Sequence, residues 1–89
     1  MTLNKSSRQD SSPGTLAEAH EAVAAIRPAR QAPLAEWLAY YQRSAAMYAE
    51  VAEIDRGHHH EALFMAERER QLVKEIKAQI SSQQPVSVT

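Results

Sequence analysis

With 89 residues and no cysteine, the chain has room for one small core and lacks disulfides, thiolate nucleophiles and zinc–thiolate sites together. Ten basic side chains against eleven acidic ones leave a net charge of −1, too little field to gather nucleic acid or an anionic membrane. The opening residues carry no apolar run long enough for a signal peptide or a membrane span, so a cytoplasmic setting is expected, with neither nucleic acid nor membrane as partner.

Residues 1–14 are polar and end in Pro13-Gly14, a composition that cannot bury enough apolar surface to offset its ordering entropy. They read as a disordered arm. Thr15 stands three residues before Glu18, the spacing at which a hydroxyl and a carboxylate satisfy free amides at a helix start. A first helix is therefore expected over 16–27, with Leu16, Ala19, Val23 and Ile26 on one face. Pro28 stops it, because proline lacks an amide proton and restricts the residue before it.

After a connector, Pro33 suits the first turn of a second helix over 33–55, roughly 30 Å long at the usual rise. Three heptad columns in it are apolar or small: Leu34, Tyr41, Tyr48; Trp37, Ser44, Val51; Leu38, Ala45, Ala52. A fourth column, Tyr40, Met47 and Ile54, widens the stripe beyond what one partner helix covers. A third helix over 58–80 carries Ala62, Ala66, Val73, Ile76 and Ile80 on one face, flanked by Leu63, Met65 and Leu72. Residues 81–89 read as a disordered tail.

Between the two long patterns lies Asp55-Arg56-Gly57, a turn-like triplet that predicts a reversal at Gly57. The alternative is one continuous rod from 33 to 80, since a glycine inside a helix costs only about 1 kcal/mol. A rod would need its wide stripe covered by a second subunit; a hairpin covers it from within. The fold expected is all-α: a short N-terminal helix and a long antiparallel helical hairpin, with Ala62 and Ala66 set against Ala45 and Ala52 near the turn.

Three histidines, His58, His59 and His60, follow the turn and precede Glu61. Neutral imidazole is a good ligand for zinc, nickel or copper, and Asp55 or Glu61 could complete or orient such a site. Successive helical residues are rotated by about 100°, however, so three adjacent imidazoles fan apart and only His58 and Glu61 share a face. Metal binding by His58, His59, His60 and Glu61 is thus the alternative reading, and a polar, solvated helix start the plainer one; no cofactor is otherwise called for. The same groups could move a proton, or loosen the turn when charged at low pH, but no serine or cysteine nucleophile and no phosphate loop accompany them. No enzymatic activity is expected.

Four aromatic residues, Trp37, Tyr40, Tyr41 and Tyr48, are spread over three columns and cannot all point inward, which marks Tyr40, Met47 and Ile54 as a surface for a protein partner or a second copy. A basic row, Arg70, Lys74 and Lys77, is interleaved with Glu67, Glu69 and Glu75 and reads as a solvated face.

The run Gly57, Glu61, Ala62, Leu63 resembles the turn between the two helices of a tetratricopeptide unit, where an alanine seats one helix against the other. The spacing of the repeat's first helix is missing, and no peptide-binding role is carried over. Trp37, Tyr41, Ala45 and Tyr48, with the stretch Ala52-Glu53-Ile54-Asp55-Arg56-Gly57-His58-His59-His60-Glu61-Ala62-Leu63, are similar to a family of short actinobacterial proteins without an assigned activity. That resemblance implies that the histidine turn is a family signature. The expectation overall is a small, non-catalytic helical interaction or self-association module.

Overall fold

A computed structural model describes residues 13–83. Three α-helices follow one another: α1 (Leu16–Ala25), α2 (Leu34–Ile54) and α3 (His59–Gln83), with a single 3₁₀ turn over Arg56–His58 between the last two. The fold is the expected one, a short helix on a long antiparallel hairpin. The arm predicted for 1–14 and the tail for 81–89 lie outside the described residues up to 12 and from 84 onward. Gly14, placed in the arm, is structured, and 81–83 belong to α3. No glycine or proline interrupts α3 before Pro85.

Thr15 caps α1 as its position suggested: it is extended, and its hydroxyl accepts from the Glu18 amide at 3.1 Å. The return bond differs. The Glu18 carboxylate accepts from the Gly14 amide at 2.8 Å, one residue upstream of the reciprocal partner. Ile26 then leaves helical geometry, and the amides of Ile26 and Arg27 close the last turn on the carbonyls of Val23 and Ala24, so α1 ends two residues before the predicted boundary.

The hairpin packs closely because small residues face each other near the turn. Ala52, Ala62 and Ala66 are wholly buried and Ala45 nearly so, which lets the two backbones approach. Val51 and Tyr48 complete this stretch of core. Ala62, Ala66, Glu69, Val73, Ile76 and Ile80 succeed one another at steps of four and three, the rhythm of a helix seam. Glu69 therefore occupies a core position, and the sequence reading that put it on the outer basic face is corrected here: it is 6% exposed.

α1 lies antiparallel along α2. Its first amide, on Leu16, donates to Asp55 Oδ2 at 2.9 Å, His20 meets the Tyr48 hydroxyl at 2.7 Å, and Ile26 lies beside Tyr40 at the far end. Ala19 and Val23 are its buried residues. At that far end Trp37, Tyr40 and Tyr41 stack edge-to-face or tilted, with centroids 5.1–5.8 Å apart. The Arg27 guanidinium rests 5.3 Å over the Trp37 ring.

The reversal itself is not glycine's doing. Asp55 is the residue that leaves the helix, with φ −93° and ψ 76°, while its amide still reaches the Val51 carbonyl at 2.7 Å. Gly57 sits inside the 3₁₀ turn, outside the left-handed region, with no atom within 4 Å of the place a Cβ would take. The predicted place of the turn stands; the reason given for it does not.

Candidate functional site

The histidine turn uses its imidazoles for its own geometry. Asp55 Oδ2 takes two bonds at one atom, from the Leu16 amide at 2.9 Å and from His58 Nδ1 at 3.0 Å. The amide bond foremost, with His58 adding to it, holds the Asp55 carboxyl below its ordinary value despite some desolvation. His59 Nδ1 lies 2.7 Å from the Ala52 carbonyl. A carbonyl only accepts, so that nitrogen carries the proton, and its 3.3 Å approach to Arg56 Nη1 sets two donors side by side rather than making a bond. His60 packs edge-on against His59, centroids 5.3 Å apart, and turns toward α1.

Two of the three adjacent histidines thus spend a ring nitrogen on the backbone or on Asp55, and the third packs edge-on against its neighbour. Among the described residues, no three histidine, aspartate or glutamate side chains come together as a metal cage. The grouping of His58, His59, His60 and Glu61 as one coordination site is not what the turn assembles.

What the structure does bring together is a pair the sequence reading passed over. His20 of α1 and His60 of α3 line one apolar cleft of about 400 Å³ with Leu16, Glu61, Phe64 and Met65. The signal was present: His20 follows Leu16 by four residues and precedes Val23 by three, completing the stripe of α1. His20 also gives the buried Tyr48 hydroxyl its partner, and the two rings meet edge-on at 5.4 Å.

Tyr40, Met47 and Ile54 do not form an open surface. Tyr40 is 6% exposed and Met47 packs on the core, because α1 lies along this side of α2 and supplies the cover expected from a partner. Ile54 alone of the three is exposed, at 51%.

The uncovered side of the hairpin is the opposite one. There α2 and α3 flank a groove of about 520 Å³, floored by Ala45, Ala46 and Val73 and bordered by Gln42, Arg70, Lys74 and Lys77. Leu63, also exposed, precedes Arg70 by one heptad and so extends the same flank of α3. Of the basic row, Lys74 and Lys77 are therefore not neutralised by their neighbours in sequence. Glu69 is turned into the core, and Glu75 stands on the other flank of α3 with Glu67, Arg68, Leu72 and Phe64, the last 67% exposed. Glu67 reaches Arg70 at 2.8 Å; among the described residues neither Lys74 nor Lys77 has an ion-pair partner.

Glu69 is the one strained group of the seam. Its Oε1 is buried without a hydrogen-bond donor, and desolvation lifts its carboxyl above the ordinary value against the opposing pull of Arg68 and Arg27. Burial, and then the Glu69 charge, in turn raise the Tyr41 and Tyr48 phenols. Ser44, as far before the turn as Glu69 is after it, is a small buried residue whose hydroxyl is committed to the Tyr40 carbonyl at 2.9 Å.

No described helix is long and apolar enough to cross a membrane. Comparison with protein-family models, with curated proteins and with solved structures finds no match.

Proposed function

We propose that this chain is a small, non-catalytic helical module that works by holding a protein partner or a second copy of itself. The observation that carries the reading is the one-sided cover of the hairpin. α1 closes one flank of α2, while the groove on the other side keeps an apolar floor of Ala45, Ala46 and Val73 beside exposed Leu63. Grooves of this kind between two helices receive the apolar face of a third. Small floor residues let the incoming backbone come close, as Ala62 and Ala66 do within the hairpin.

The test is a photo-crosslinking amino acid at Ala46, irradiated in the cells that make the protein. A discrete covalent protein adduct is expected at Ala46 and not at Ala24, which is exposed on α1. Absence of any adduct at Ala46 or at Lys74 would remove the basis for the proposal.

A further inference from the structure

We infer that the groove between α2 and α3 is occupied by the outer ridge of α3 from a second copy, so that copies join head to tail. This rests on the interaction reading above and names its partner. The argument is a complementarity that one helix carries on its two flanks. On the groove side, Arg70, Lys74 and Lys77 border an apolar floor, and both lysines lack ion-pair partners among the described residues. On the other side, where Glu67 is spent on Arg70 of its own chain at 2.8 Å, Glu75 stands beside Leu72, with Arg68 as the single cation and Phe64 one turn before Glu67. Glu61, one turn earlier still, extends the acidic ridge.

Among the described residues Phe64 is the largest exposed apolar side chain, at 67%, and belongs to the ridge rather than to the hairpin's own core. An amphipathic helix with acidic rims and an aromatic knob is what a basic groove with a small-residue floor accepts. The contact uses two different patches of the same chain, so it is heterologous, and it builds a series of species unless the rotation closes a ring. A net charge of −1 opposes this little, and the attraction depends on salt because its charges are exposed.

Sedimentation velocity of the full chain at rising concentration is expected to show successive larger species, diminished by salt. Phe64→Ser, K74E/K77E and E61K/E75K are each expected to weaken association by about tenfold or more while leaving the helical circular dichroism intact. Mixing the last two restores association, since the acidic ridge of one meets the basic groove of the other. A chain that stays monomeric at millimolar concentration, or double variants that fail to rescue each other, overturns the inference. If the Ala46 crosslink then joins a different protein, only the second-copy assignment falls. If there is no crosslink either, the interaction reading falls with it.

Discussion

Gly57→Ala is expected to leave the hairpin intact and to raise its stability by about 0.4–1 kcal/mol, because the position is free of left-handed strain and has open space for a Cβ, while alanine restricts the unfolded chain. Urea unfolding followed by circular dichroism measures it; a loss of stability would show that the turn depends on glycine after all. The residue at which the chain leaves α2 is Asp55, and its part in seating α1 was not legible from the sequence. Asp-Arg-Gly announces a reversal without saying which of the three leaves the helix, and the decisive bond comes from Leu16, 39 residues away. Glu69 was misread for a related reason. A charged side chain among Glu67, Arg68 and Arg70 looks like surface, although its place between Ala66 and Val73 is set by the four-three rhythm of the seam.

Among the elements, α1 is the one held by few groups: two buried apolar residues, the His20–Tyr48 bond and the Asp55 carboxylate. Asp55→Ala is expected to free α1 while sparing the hairpin, so that amide exchange quickens over 16–25 and stays slow in the middle of α2 and α3. Equal acceleration in all three helices would contradict this. The acid side follows from the lowered carboxyl. The stabilisation is present above the carboxyl's unfolded value and is lost as pH falls through the lower folded one. The helices themselves were legible: the Thr15–Glu18 cap, Pro28, Pro33 and the apolar columns place all three to within a few residues. What α1 covers was not. The Tyr40, Met47 and Ile54 column looks the same whether its cover comes from within the chain or from outside, and only the bonds at Asp55 and Tyr48 place α1 upon it.

For the molecule as a whole, two carboxyls shifted in opposite directions shape stability against pH. Glu69, raised by burial, carries no charge penalty below its unfolded value, where it is protonated in both states, and this advantage is lost as pH rises through the folded value. Asp55 fails on the acid side, so the maximum is expected at mildly acidic pH. Glu69→Leu should raise stability near neutrality by roughly 1–3 kcal/mol, the cost of a buried charged group left without a donor, and much less below pH 4. Thermal unfolding across that range measures it, and a benefit independent of pH would disprove the account. One further property belongs to the far end of the fold, where the chain's sole indole lies under a guanidinium and against two phenols. Its emission is a natural optical gauge of whether the connector end of the first helix is seated, read without a label and separately from the carboxylate latch at the opposite end.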